Sequence, residues 1–283
     1  MTEPIKTMKL YTDVDRIFNE LRELGVAEHE RIQIGALTPF DQYHYEGTAA
    51  VEYAINVCGI NADQHVLEVG SGIGGPSRYI AHRTGCTVTA LELQADLNQT
   101  AAQLTQRCGL ADHVQHRQGD FLDTDSIGEN YDALVSWLAF LHIPNRQHLF
   151  ARCMASLKPG GYLFIEDFSK RGDFSAQELS DLETKIYCGY VPTQDEYIDQ
   201  VAAAGFADIQ ADDMTESWTR FVRGRLDGFR AARERHLRVH NENIVAGLDD
   251  FFSTITNLYE GGNLGGIRLV ARKPMDGKQI MNG

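Results

Sequence analysis

The chain has 283 residues, 43% of them apolar, and a formal net charge of −14 at pH 7. That length fills one large domain, or a domain with an insertion, and the composition is that of a globular protein. The acidic balance argues against nucleic acid or an anionic membrane as the main partner, because both are bound through an excess of Lys and Arg; a small molecule is the ligand to look for.

Five cysteines, Cys58, Cys86, Cys108, Cys153 and Cys188, lie far apart with no C-x-x-C pair. They read as reduced, mostly buried thiols of a cytoplasmic protein rather than as a metal or redox motif. The start of the chain, MTEPIKTMKLYTDVD, has no apolar signal core, and no apolar run is long enough to span a bilayer.

In chain order, Val14, Ile17, Phe18, Leu21 and Leu24 have helical spacing closed by Gly25 and predict a helix over 11–25. Residues 31–47 show no period and gather Phe40, Tyr43, His44 and Tyr45 among turn-formers, as a loop folded over a pocket would. A helix over 48–57 stops at Gly59. An alternating series follows: strand 66–70, helix 76–84, strand 86–92, helix 96–108, strands 113–118 and 131–137, helix 145–157 and strand 161–167. Strands alternating with helical patterns imply a largely parallel sheet with ligands at the carboxyl ends of its strands. Thr193-Gln-Asp-Glu196 has the pattern of a capping box opening a helix to Gly205, and 206–210 reads as a further strand. Segment 212–258 reads as inserted helices before a last strand over 266–271.

The chemistry concentrates on Val66-Leu67-Glu68-Val69-Gly70-Ser71-Gly72-Ile73-Gly74-Gly75-Pro76-Ser77. A β-branched run ends at a glycine cluster, and Pro76 suits the first turn of a helix, where its missing N–H costs no hydrogen bond. Glycines at 70, 72 and 75 would let backbone approach a nucleotide-like ligand closely, so dinucleotide binding is one reading. Glu68 would repel a pyrophosphate there and attract an ammonium group. Glu92, 22 positions after Gly70, ends the second strand, where a carboxylate can accept both hydroxyls of a ribose. After the next strand, Gly119-Asp120-Phe121 offers a carboxylate for an adenine amino group and a ring to pack on it.

Over residues 48–168 these motifs, with the Lys158-Pro159-Gly160-Gly161 turn, resemble the class I S-adenosylmethionine (SAM)-dependent methyltransferases. The resemblance implies an α/β, Rossmann-like seven-stranded sheet, mostly parallel with its last strand antiparallel, and helical lid insertions near 169–192 and 212–258. In that reading residues 1–47 form an N-terminal helix and pocket-covering loop, and 48–283 form the methyltransferase domain. SAM, converted to S-adenosylhomocysteine (SAH), would be held by Glu68, Gly70, Ser71, Gly72, Glu92, Leu93, Asp120, Phe121 and Trp137. Within the class, the G-S-G-x-G-G turn, Leu141-His142 after the fourth strand and the ending Glu260-Gly261-Gly262 resemble the sarcosine/dimethylglycine and phosphoethanolamine N-methyltransferases. The stretch Ser136 to His142 lacks the Asp that the phosphoethanolamine enzymes place there, and Tyr187 stands near the place of their phosphate-binding Arg, which points away from phosphoethanolamine itself.

The implied activity is methylation of a small molecule at nitrogen, with C- or O-methylation of an aromatic or isoprenoid compound and a catalytically inactive SAM-binding partner subunit as alternatives. Tyr11, Tyr43, Leu138, Phe140, Phe168, Tyr187 and Tyr190, with Tyr45 and Trp137, are candidates to line the acceptor site, as an aromatic cage for a cation or as apolar cover for a ring. His142, at an ordinary pKa of about 6.5, is the candidate base, and His44 and Tyr45 are the second choice. A capping or packed role serves His142 equally well. The chain is expected to be a monomer or homodimer, with no metal.

Overall fold

The structure, a computed structural model, describes residues 14, 16–123 and 127–275. Its elements are α1 (Arg16–Glu23), α2 (Ile34–Asp41), α3 (Thr48–Cys58), β1 (His65–Val69), α4 (Gly75–Thr84), β2 (Thr87–Glu92), α5 (Ala95–Cys108), β3 (Val114–Gln118), β4 (Tyr131–Trp137), α6 (Arg146–Ser156), β5 (Leu157–Lys170), α7 (Ala176–Thr184), α8 (Gln194–Ala203), β6 (Ala207–Asp213), α9 (Thr215–Ala231), α10 (Arg233–Val239), α11 (Glu242–Glu260) and β7 (Leu264–Arg272). A single 3₁₀ turn, Phe140–His142, follows β4.

Apolar runs buried on both faces make the sheet. In β1 Val66 points into one core layer and Leu67 into the other, and Val135 and Leu134 in β4 and Phe164 and Leu163 in β5 repeat that alternation. The seven strands take the order β3-β2-β1-β4-β5-β7-β6. β1 runs parallel to β2 and β4, while β7 is antiparallel to both β5 and β6. Strand order reverses between β1 and β4, which opens a crevice beyond their carboxyl ends. Two further clusters cover that crevice. One joins α1 and α2 to α5 through Ile17, Leu21, Leu37, Leu97 and Leu104; the other is the lid's own core, with Tyr45, Phe168, Trp218, Ile255 and Tyr259.

The fold departs from the expectations in three places. Segment 31–47, read as a loop, contains α2, which has only eight residues, two of them buried, and a proline inside it. Pro39 removes the N–H that would reach the Gly35 carbonyl, and the Thr38 hydroxyl donates to that carbonyl instead, at 3.4 Å. β5 starts four residues before its expected first residue and runs through the Lys158-Pro159-Gly160-Gly161 turn, with a register shift between Tyr131 and Ala133. β7 starts two residues early at Leu264, and its Gly266 carries no side chain because a Cβ there would lie 2.1 Å from the Trp218 ring. Tyr11 lies outside the described residues. All five cysteines are buried and unpaired, and among the described residues no helix is long and apolar enough to cross a membrane.

A buried ion pair pins α2 to α4. Arg78 is fully buried, its Nη2 lies 2.9 Å from Asp41 Oδ2, and its Nη1 donates to the Ala101 carbonyl and the Thr105 hydroxyl, each at 3.3 Å. Removing one partner would strand the other charge in the interior. Arg78→Met is expected to lower unfolding free energy by about 3–5 kcal/mol, and Arg78→Met/Asp41→Leu to recover more than half of that loss. Urea unfolding measures both, and equal losses in the single and double variants would contradict the pairing.

Candidate active site

Between β1 and α4 the backbone turns through Gly70, Gly72 and Gly74, at φ of 77°, 53° and 77°, a region that side chains with a Cβ avoid. Space is the second constraint. A Cβ on Gly70 would lie 2.2 Å from the Ala139 Cβ, and one on Gly75 would lie 2.2 Å from the Asp41 carbonyl oxygen. The amides of Gly70 and Ser71 both donate to the Leu91 carbonyl, at 2.9 and 3.0 Å, and the Gly72 amide donates to Glu92 Oε2 at 2.8 Å. The turn is thereby tied to the end of β2, and Pro76 opens α4 behind it.

These ends surround one cavity, open to solvent at its mouth. Glu68, Gly70, Ser71, Gly72, Glu92, Leu93, Asp120, Phe121 and Trp137 all line it, so the structure gathers every residue that the sequence put forward for the cofactor. The donor–acceptor balance fits SAM, whose ammonium group, ribose hydroxyls and adenine amino group are all donors, opposite three carboxyl side chains. Ser71 Oγ and Trp137 Nε1 are buried without a protein partner, as groups awaiting a polar ligand would be. Glu92 accepts from the amides of Gly72 and Gln94, which orients its carboxylate and leaves each oxygen a further lone pair. Asp120 accepts from the Leu122 amide at 2.9 Å. Glu68 is buried against the Ser77 hydroxyl, and burial pushes its carboxyl up to about 8.

His142, His44, Tyr43 and Leu138 line the same cavity. His142 sits on the 3₁₀ turn after β4. Its Nδ1 lies 3.1 Å from the Tyr187 carbonyl, so in the neutral ring Nδ1 carries the proton and Nε2 is the acceptor. Burial lowers its pKa to about 4, which corrects the expectation of an unperturbed base near 6.5. His44 Nε2 lies 3.0 Å from the Gly47 carbonyl, and burial likewise lowers that ring to about 4. Backbone strain collects nearby: Leu138 and Tyr187 have φ of 52° and 57°, and Glu46, in the loop carrying His44, has 58°.

The aromatic cage expected around the acceptor is not what these rings build. Tyr45, Phe140, Phe168, Tyr187 and Tyr190 do not line the cavity. Tyr45 is buried in the lid core, 5.0 Å from Trp218 and 5.9 Å from Tyr259 between ring centroids, which removes it as second-choice base. Phe140 stacks with Phe121 and meets Phe150 edge-on, and Phe168 packs on Tyr259. Tyr190 accepts from Gln200, and Tyr187 serves through its carbonyl.

Asp41, Gln94, Leu97 and Ala139 line the cavity without having been singled out. Asp41 lies in the segment read as loop, and nothing local shows that its partner is Arg78. Gln94 and Leu97 directly follow Glu92 and were within reach of the same motif. A second, hidden network fixes the 3₁₀ turn: buried Asp167 accepts from the Leu141 amide at 3.1 Å, from Arg146 at 3.3 Å and from the Tyr197 hydroxyl at 2.9 Å.

A methyltransferase-domain profile matches residues 66–161. The chain is 27% identical over 210 residues to the sarcosine/dimethylglycine N-methyltransferase of Halorhodospira halochloris, covering 73% of each. It is 31% identical over 116 residues to the sterol 24-C-methyltransferase of Eremothecium gossypii, covering 41% of this chain and 31% of that one. In fold it is similar to phosphoethanolamine N-methyltransferase 2 of Haemonchus contortus, solved with phosphomonomethylethanolamine and SAH, at a TM-score of 0.79 and 20% identity over 96% of this chain. The chain spans 59% of the length of that solved protein. Sheet order, glycine turn, carboxylate set and relatives converge: residues 66–161 match a methyltransferase domain, and the chain has the class I fold and is similar in sequence to SAM-dependent methyltransferases.

Proposed function

We propose that this methyltransferase acts on the nitrogen of a small amine or amino-acid-like metabolite. The observation that carries this reading is the extent of the match: the sarcosine/dimethylglycine enzyme aligns across 73% of the chain, well beyond the domain at 66–161, while sterol 24-C-methyltransferases align across 41–57%. Lid segments are where acceptor specificity resides in a fold whose sheet holds the cofactor.

In this reading Glu92 accepts the ribose hydroxyls, Asp120 the adenine amino group, and Glu68 the ammonium of the methionine portion. SAM supplies the methyl on a sulfonium. The chain's part is to align the acceptor nitrogen with the methyl–sulfur bond and to exclude water. Tyr43 and Leu138 wall the acceptor side. His142 Nε2 accepts an N–H of the neutral amine and so aims its lone pair; with a pKa near 4 the ring orients rather than deprotonates. The proton leaves with solvent, and the nitrogen must enter unprotonated.

Turnover of a panel of primary and secondary amines, amino acids and phenols, followed by SAH release and product mass, tests the reading. Amines should turn over, and kcat/KM should rise with pH as the amine deprotonates, without an inflection at the ordinary histidine pKa of about 6.5. His142→Ala should lower kcat/KM on the order of 10²-fold with SAH affinity unchanged. Turnover of phenols alone would assign the pocket to oxygen acceptors, and SAH binding with no turnover of any acceptor would favour a binding subunit.

The raised Glu68 pKa makes a separate prediction. Burial holds this carboxyl protonated up to about pH 8, so its contribution to stability is present below about 4.5 and is lost as pH rises through 8. An ammonium group beside it favours the carboxylate, so SAH binding at pH 7 should release up to one proton. Calorimetric titrations in buffers of different ionisation enthalpy measure that release, and Glu68→Gln should abolish it. A binding enthalpy independent of buffer would overturn the assignment of Glu68 to the ammonium.

A further inference from the structure

Away from the cofactor cavity, α10 lays its last turn against α1 and brings three metal-ligating side chains together. His236 and His240 stand four positions apart, one turn of helix, and the His240 amide donates to the His236 carbonyl at 2.8 Å, so both rings leave the same face. Glu20 of α1 meets them there, and one ligand atom from each of the three residues lies within 4.8 Å of the others. We propose that Glu20, His236 and His240 form a binding site for a late first-row divalent ion such as Zn²⁺, and that the ion clips the N-terminal helix to the lid. Two imidazoles and one carboxylate suit such an ion, whereas Mg²⁺ and Ca²⁺ favour a shell of oxygen atoms. None of the three ligands lines the cofactor cavity, so the site is separate from the residues placed around SAM. The histidine spacing by itself predicts no metal, because the carboxylate stands 220 positions from His240.

Burial and polar accounting carry the inference beyond proximity. The side chains of Glu20 and His240 are 8% and 3% exposed, so neither is a solvated surface group. His240 Nε2 lies 2.8 Å from Glu20 Oε1; a carboxylate only accepts, so Nε2 carries the proton of that contact, and Nδ1 is left buried without a partner. Buried polar atoms are rarely left so, and the polar capacity of this ring exceeds what the surrounding protein supplies. His236 is half-buried, with its ring stacked on Phe229 at 4.4 Å between centroids. Stacking fixes the plane of that ring and engages its face, not the in-plane lone pair with which an imidazole binds a metal. Arg235 sits behind the carboxylate: its Nη2 takes Glu20 Oε2 at 2.5 Å, which orients Oε1 toward the rings, as groups behind metal ligands do.

The fold has a use for such a clip. Helix α10 is seven residues long and none of them is buried, so neither length nor an apolar face holds it in place. Its ties to α1 are polar, through Arg235 to Glu20 and through Arg238 to Glu23 at 2.8 Å. An ion bound by Glu20 and both histidines makes the link a three-point one. All three ligands also line a chamber between α1, α2, α9 and α11, so the coordination position that three protein ligands leave over is open to water.

Metal binding by the tag-free protein, stripped beforehand with a chelator, tests this without any turnover. Calorimetric titration with Zn²⁺ should show one ion per chain, undisturbed by excess Mg²⁺, and Co²⁺ should gain the visible absorption of an ion drawn out of its octahedral water shell. Bound Zn²⁺ should raise Tm. Glu20→Gln, His236→Gln and His240→Gln should each weaken Zn²⁺ binding by roughly 10²-fold or more and remove the rise in Tm, with circular dichroism like that of the wild type. His148→Gln, at an exposed histidine of α6, should change nothing. Should His240→Gln fail to fold, His236→Gln and Glu20→Gln carry the test. No binding of Zn²⁺, binding untouched by the three substitutions, an equal loss with His148→Gln, or bound Zn²⁺ that leaves Tm unchanged would overturn the proposal.

Discussion

The β1–α4 turn must pass closer to two other segments than any side chain permits, and the rest of the site depends on that approach. A Cβ on Gly70 would collide with Ala139, and one on Gly75 with the Asp41 carbonyl. Through the Ala139 methyl at Gly70 and the Asp41 backbone at Gly75, the turn sets the position of the segment after β4, which carries Leu138 and His142, and of α2, which leads into Tyr43 and His44. The Arg78–Asp41 pair holds α2 in place from behind, and Asp167 holds the 3₁₀ turn through the Leu141 amide. The glycine turn and the two segments that wall its cavity are therefore joined in one set of contacts.

Charge is distributed against solvation in the same region. Glu68 and Glu92 are buried, and burial raises both carboxyls, while it lowers the rings of His44 and His142. Burial along the cavity thus favours neutral forms of groups that would be ionised in water. A ligand bearing an ammonium group and several donors reverses part of that cost at Glu68 and Glu92. The histidines stay neutral, which suits a reaction in which the acceptor nitrogen must present a lone pair and a cationic neighbour would repel the sulfonium.

Much of this was legible because it is written in local pattern. The sheet followed from β-branched runs separated by helical periods, and the shared cavity of Glu68, Glu92 and Asp120 followed from strand ends at which they stand beside glycines. Helix α2 was not legible: with eight residues, two buried and one a proline, it has no period to detect. The acceptor wall was misread for a different reason. Tyr45, Phe140 and Phe168 have the composition of a cage, but Tyr45 and Phe168 pack on α9 and α11, which lie far along the chain, and Phe140 packs with Phe121 and Phe150 in the sheet core. Arg78–Asp41 and Arg146–Asp167 are long-range pairs, invisible until the fold brings them together.

The central claim is transfer of the SAM methyl to nitrogen, and the most direct measurement is where a labelled methyl arrives. The enzyme would be incubated with SAM carrying a ¹³C-methyl group and a mixture of small amines, amino acids and phenols, and the products read by carbon–proton correlation spectroscopy. New methyl signals at N-methyl positions, absent with heat-treated enzyme, are the predicted result. Label appearing at carbon or oxygen, with none at nitrogen, would contradict the account.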